Sequence, residues 1–393
     1  MTAAVNPEPA KTTAPPRSLY AHIPFCLHHC WYCDFAVVTG RDDLADRYLE
    51  ALDAEWRRQT DLVPGIQTLQ TVFVGGGTPT QLIPDQLTRL FEILRGPVAF
   101  ASDAEVSIEA NPEGFTPAKL AALVAGGVKR VSLGGQSFQP RHLAFLERRH
   151  TPSDLERAIE LVQSAGLRCA VDLIFGLPDQ KLADWQADLE AVCRAEVGHV
   201  STYGLTYEKG TRLWRDREKG SVLPLANETE AQMYELALDL LTAAGFESYE
   251  ISNFARPGQR CRHNEVYWAN DPCFGIGLGA ARYLDGTRSV NTRSLDTYLE
   301  RCQAGLDPVQ SAETLDPEAR ARETAMVQLR RTTGIDRAEF RQRTGFELDA
   351  LAGSALSRHL ARGLLLDDGK TVRLTRAGRL LADEVQADFL VSR

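Results

Sequence analysis

From Leu19 to about Thr206 the chain alternates strand-like and helix-like segments, and nothing else in the sequence constrains the fold so much. The strand candidates are Leu19–Phe25, Thr71–Val74, Glu105–Glu109, Arg130–Leu133, Cys169–Phe175 and Val200–Leu205. Two of the intervening helices carry clear start signals. Thr151-Pro152-Ser153-Asp154 offers an N-cap, a proline at the first helical position and an acidic third residue. Leu155, Ala158, Ile159 and Val162 then make one apolar face, and Gly166 ends the helix. Thr116-Pro117 opens another, with Leu120, Leu123 and Val124 expected on its buried face and Gly126-Gly127 at its end. Repeated βα units imply parallel strands joined by right-handed crossovers. Six such units can form an open doubly wound sheet or a barrel, complete or partial, and periodicity alone does not choose. In either case ligands gather at the carboxyl ends of the strands.

The alternation suggests four regions. Residues 1–17, rich in Ala, Thr and Pro and without an apolar h-region, read as a disordered tail and not as a signal peptide. Residues 18–226 hold the βα units. Residues 227–310 are an extension with a helix near Glu228–Ala244 and a glycine-rich run, GIGLGA, expected as a turn. That run lacks the strand–turn–helix setting and downstream acid of a dinucleotide site. Residues 311–393 read as helices, a hairpin turning at Gly369 and a last helix in TRAGRLLADEV, a winged-helix-like module.

Bulk properties matter mainly for what they exclude. A formal charge of −9 disfavours a dedicated nucleic-acid binder. No apolar run approaches a membrane span, so a cytoplasmic protein without an integral membrane segment is expected.

Of eight cysteines, Cys26, Cys30 and Cys33 form a C-x3-C-x2-C loop directly after the first strand. Three thiolates on one loop can hold three irons of a four-iron cube, leaving the fourth iron open. A structural zinc is the alternative, and it needs a fourth ligand that His28 or His29 could supply.

With its aromatic Tyr32 before the last cysteine, the loop resembles the signature of the radical SAM superfamily. The resemblance implies a [4Fe–4S] cluster whose open iron is chelated by S-adenosylmethionine (SAM). There, one electron passed to the sulfonium yields a 5′-deoxyadenosyl radical. It also implies an α/β fold, the partial (β/α)6 barrel, here with a small C-terminal winged-helix-like domain. The segments LYAHIPFC, VGGGTPT, SIEANPE, GGQSF, VDLIFGLP and YEISNFA are similar, in order, to one group of that superfamily, HemN/HemW. By that likeness the SAM-site candidates are Tyr20, Tyr32, Gly76, Gly77, Thr78, Glu109, Gln136, Arg148, Asp172 and Ala281. Gly135 and Glu147 depart from the group's usual GVQSF and LGR-x-H, and Glu147, beside Arg148, puts the arginine's orientation in question.

Two features separate the branches of the group. The coproporphyrinogen III dehydrogenases carry a further cysteine after the cluster motif, where this chain has Asp34-Phe35. They also lack an H-N-x-x-Y-W motif, present here as His263-Asn264-Glu265-Val266-Tyr267-Trp268. The pattern resembles the haem-chaperone branch, which implies haem as a third cofactor and acceptor haemoproteins as partners. His263, Asn264, Tyr267 and Trp268 are then the haem-binding candidates, with imidazole a common axial ligand and the aromatic faces suited to a porphyrin. For an isolated motif, core packing by Tyr267 and Trp268 and capping by His263 would be the commoner outcome. A homodimer through the exposed cysteine loop would fit, although no residue pattern encodes it.

Overall fold

The computed structural model describes residues 15–63 and 65–391. Most of the expected N-terminal tail therefore lies outside the described residues. All six expected strands form, in consecutive positions of one sheet. They are β1 (Ser18–Ile23), β2 (Thr68–Gly76), β3 (Ala99–Ala110), β4 (Arg130–Gln136), β5 (Arg168–Phe175) and β6 (His199–Gly204). Each pairs in parallel with the next.

Alternation along the strands explains the architecture. On β1, Leu19, Ala21 and Ile23 are fully buried against the surrounding helices, as are Val72 and Val74, Val131 and Leu133, and Val171 and Leu173 on its neighbours. Each large side chain so buried stabilises the fold by about 1.5–3 kcal/mol. The opposite face carries Tyr20, His22, Thr71, Glu109, Ser132, Asp172 and Tyr203, so the curved sheet encloses a polar lumen. A polar interior is tolerable only where its groups find partners or a ligand.

The helices follow their sequence signals. Thr151 caps Pro152–Ser164 through a reciprocal bond with Asp154, and Leu155, Ala158, Ile159 and Val162 are buried. Thr116 caps Pro117–Ala125, but Val124 is exposed and Ala122 takes its place in the core, because the helix sits rotated by part of a turn from the expected face.

The sheet is longer than the six units. Two antiparallel strands, β7 (Glu247–Ser248) and β8 (Asn253–Ala255), extend it beyond β6. A parallel strand, β9 (Phe274–Ile276), extends it beyond β1. Thus Gly275-Ile276 of GIGLGA end a strand, and the turn begins at Gly277. Glu55, fully buried, accepts from Gly277 N (2.8 Å), Tyr298 OH (2.7 Å), Asn291 Nδ2 (2.7 Å) and Gln59 Nε2 (2.9 Å), and so anchors that turn.

The last region has its own core, built from Ala325, Leu329, Phe340, Leu356, Val372 and Phe389. Its order is a helix (Pro317–Gln328), a short strand, two helices and the hairpin Leu365–Asp367/Thr371–Leu374, which is a winged-helix arrangement. The final helix is broken at Leu381 into Arg376–Leu380 and Ala382–Leu390.

Candidate functional site

At the carboxyl ends of the strands lies a cleft of about 520 Å³. The cysteine loop forms one wall. Cys26 Sγ lies 3.4 Å from Thr78 Oγ1, and the amide of Cys33 donates to the carbonyl of Cys30 (3.1 Å). Burial pushes the Cys26 thiol up to about 11 and raises that of Cys33. Metal loading must displace those protons. Among the described residues, no three side chains close on a single metal ion.

The glycine run makes the opposite wall possible. A Cβ on Gly75 would come within 2.9 Å of Glu109 Oε2, and one on Gly76 (φ +117°) within 2.6 Å of the His22 ring. Only bare backbone there lets Gly76 N donate to Glu109 Oε2 at 2.9 Å. Burial, followed by the charge of Asp172, raises the Glu109 carboxyl to about 8, with the Gly76 bond opposing both. Asp172 is raised by burial too, although it accepts from Ser132 Oγ (3.2 Å). Both acids face the cavity, so water reaches them while protein encloses them on most sides.

Arg148 points into the cleft. Its Nη2 donates to Asn111 Oδ1 (2.5 Å) and to Gly134 O (3.0 Å), and its Nη1 lies 3.9 Å from Cys30 Sγ. Its buried Nε has no partner among the described residues, a donor left over for a ligand oxygen. The unusual Glu147 therefore does not misdirect it. Glu147 adopts φ +55°, a conformation for which the usual glycine is better suited, and its carboxylate meets His28 Nε2 (3.0 Å) and Arg212. Gly135 is equally explicable. Its missing side chain leaves room for Leu155, whose Cδ2 would lie 2.8 Å from a Cβ there.

Tyr32, Gly76, Gly77, Thr78, Glu109, Gln136, Arg148 and Asp172 all line this cleft with the three cysteines. Tyr20 and Ala281 do not. Tyr20 sits deeper in the lumen with its hydroxyl on His22 Nδ1 (3.0 Å). Ala281 begins a separate antiparallel sheet, with Val290 as its partner. Asn111 was not foreseen. It links Thr78 (2.9 Å) to Arg148, and its signal was its place two residues after Glu109.

The H-N-x-x-Y-W segment lies elsewhere. It forms the helix Arg262–Ala269 at the amino end of the barrel. Arg130 holds the segment before it through the carbonyls of Gln259 and Arg260 (2.9 Å each), and Arg130 is itself paired with buried Glu105. His263 is fully buried, with Nδ1 on Thr71 Oγ1 (2.9 Å), Nε2 on Tyr267 OH (2.9 Å) and its ring stacked on Phe73. Burial lowers its pKa to about 3. Both ring nitrogens are thus engaged, and in this conformation neither is free for an axial bond. Asn264 is half-buried, and Trp268 lies under the Arg330 guanidinium (4.5 Å).

A partial barrel with three cysteines, a glycine run and a strand-end acid at one rim is the architecture of the radical SAM superfamily, whose family model matches residues 20–192. A model of the HemN C-terminal domain matches residues 315–381. The haem chaperone HemW of Bacillus subtilis is 35% identical over 95% of this chain and 99% of its own. HemW of Escherichia coli is 32% identical over 96% and 98%. Among solved structures, the coproporphyrinogen III oxidase HemN of Escherichia coli, a radical SAM enzyme, superposes with a TM-score of 0.84 at 24% identity, covering 97% of this chain and 91% of that one. The chain belongs to the HemN/HemW group of the radical SAM superfamily.

Proposed function

We propose that this protein is a haem chaperone, which binds haem, carries a [4Fe–4S] cluster with SAM in the carboxyl-end cleft, and delivers haem to acceptor haemoproteins. The carrying observation is full-length similarity to relatives named haem chaperones. Phe35, an exposed phenylalanine at the position where the dehydrogenases have their further cysteine, agrees with it. No described helix is long and apolar enough to cross a membrane, and we assign the protein to the cytoplasm.

Cys26, Cys30 and Cys33 are the thiolates suited to three irons, and the bound pair supplies one-electron chemistry at the sulfonium. The chain's own residues do the holding. Glu109 and Asp172 offer acceptors for hydroxyl or ammonium donors, Arg148 offers a cationic donor, and the bare backbone of Gly76 and Gly77 allows close approach. Haem titration, transfer to apomyoglobin and coproporphyrinogen III turnover, run in parallel on anaerobically reconstituted protein with SAM and reductant, test the reading. Haem binding and transfer are expected without porphyrinogen product, and catalytic turnover would overturn it.

The Glu109 carboxyl gives a pH signature. With its pKa at about 8, it is mostly protonated at neutral pH. Hydrogen-bond donors of SAM favour its ionised form, so binding expels the proton. SAM affinity should rise between pH 6 and 8, by up to about tenfold per unit, and level off above. Glu109→Gln should flatten that slope, while whatever Asp172 contributes remains in both proteins. Equal slopes in titration calorimetry would remove Glu109 from the site.

A further inference from the structure

At the opposite end of the barrel lies a second cleft, of about 350 Å³. The beginnings of β1 and β2 form its roof, the helix Arg262–Ala269 one wall, and Arg331 and Thr333 of the C-terminal module another. The H-N-x-x-Y-W helix is therefore two-faced. His263 is turned to the barrel floor, whereas Val266, Trp268 and Ala269 line this cleft.

The charges of the cleft are unevenly matched. Glu265 is met by Arg260 (3.7 Å), which also reaches Glu247 (3.1 Å). Asp271 is met by Arg343 (2.8 Å), and Arg262 lies 3.5 Å from Asp103. Arg331 has no carboxylate partner among the described residues. Its Nη2 donates only to the carbonyl of Gly334 (3.2 Å), and its Nε is buried without an acceptor. The indole N–H of Trp268 is buried and unpartnered as well. The charges of Glu339, Asp271 and Glu265 reach Arg331 through space, but no carboxylate among the described residues bonds it, and its Nε and the Trp268 indole N–H leave one cleft with two buried donors lacking acceptors. Arginine is the side chain best shaped to take a carboxylate in two parallel bonds.

We propose that this basal cleft binds the carboxylate edge of haem, with Arg331 receiving a propionate and the Val266–Trp268–Ala269 wall lying against the porphyrin margin. The inference rests on the haem-chaperone reading. It shifts the contact from the imidazole of His263, whose nitrogens are both engaged, to the outer face of the same helix. A cleft of this volume takes an edge of the macrocycle and leaves the rest outside, as suits a carrier that must hand its cargo on. It also sets haem at the end of the barrel remote from the cysteine loop.

Soret titrations of the full chain with haem and with haem dimethyl ester, whose propionates are neutral, test this. Wild-type protein should bind haem at least about tenfold more tightly than the diester. Arg331→Gln should bring haem down to the diester's affinity and leave the diester unchanged, and Arg331→Lys should recover part of the difference. Melting curves check that the variants fold, and the haem-to-diester comparison on wild type needs no variant. If wild type binds haem and diester equally, or Arg331→Gln binds haem as wild type does, the site is wrong and the chaperone reading stands. If wild type binds no haem, both fall.

Discussion

Replacing Cys26, Cys30 and Cys33 together by Ser should abolish iron and sulfide incorporation and leave the fold intact. A cluster iron needs a soft thiolate, and a serine hydroxyl neither ionises near neutral pH nor matches the softness of iron–sulfur bonding. The fold should survive because none of the three belongs to the buried core. All are only half-buried beyond the end of β1, Cys26 at the end of the two-residue strand Phe25–Cys26 and Cys30 and Cys33 on the loop that follows it. Ser differs from Cys by one atom, and surface or half-exposed changes of that size usually fall within about 0.5 kcal/mol. Iron and sulfide analysis with absorbance spectra after anaerobic reconstitution, beside a melting curve, reads both halves. Sulfide loading that persisted in the triple variant would end the cluster assignment. So would a wild-type protein that held one zinc and no sulfide.

How much of this could be read from the sequence follows from how local each signal is. The six central strands were legible because each carries apolar residues at alternate positions toward the helices over four to seven residues, from Thr71–Val74 to Cys169–Phe175, between helix and turn signals. Leu19-Tyr20-Ala21-His22-Ile23 is the pattern in miniature. The added strands Asn253–Ala255 and Phe274–Ile276 are three residues long, too short for any period to show. The cleft residues were legible where a motif fixes them, as with Gly76 and Glu109, since a backbone that tolerates no Cβ demands glycine wherever it occurs. Ala281, proposed from a loosely similar segment, lies outside the cleft lining at the start of another sheet, where a small residue carries no chemistry that would mark its role. Long-range partners left no local trace. Thr71, which bonds His263, is 192 positions away, and Glu55 reaches Gly277 across 222. Arg331 could not have been linked to Trp268 before the C-terminal module was seen packed against the barrel.

His263→Ala should lower stability by about 3–5 kcal/mol, the range for removing a large buried ring. The loss has identifiable parts: a cavity beside Phe73, an orphaned Thr71 hydroxyl and an unpartnered Tyr267 hydroxyl, all at the floor of the barrel. Urea denaturation measures the total, and pH separates it from a ligand role. The folded His263 has its pKa depressed to about 3, so below about 6.5 the unfolded chain binds a proton that the folded chain refuses. Wild-type stability should therefore fall as pH drops from about 6.5 toward 4, by up to about 1.4 kcal/mol per unit from this group. His22 and His199, with pKa values likewise lowered by burial, add slopes of the same sign, but they remain in both proteins and cancel in the difference. The gap between wild type and His263→Ala should thus narrow in acid. Haem affinity, measured where the variant is still folded, should stay within about twofold of wild type, because the proposed contact lies on the other face of the helix. A tenfold loss, or a change in the spin state of bound haem, would instead make His263 the axial ligand. The helix Arg262–Ala269 would then have to leave the barrel floor to bind.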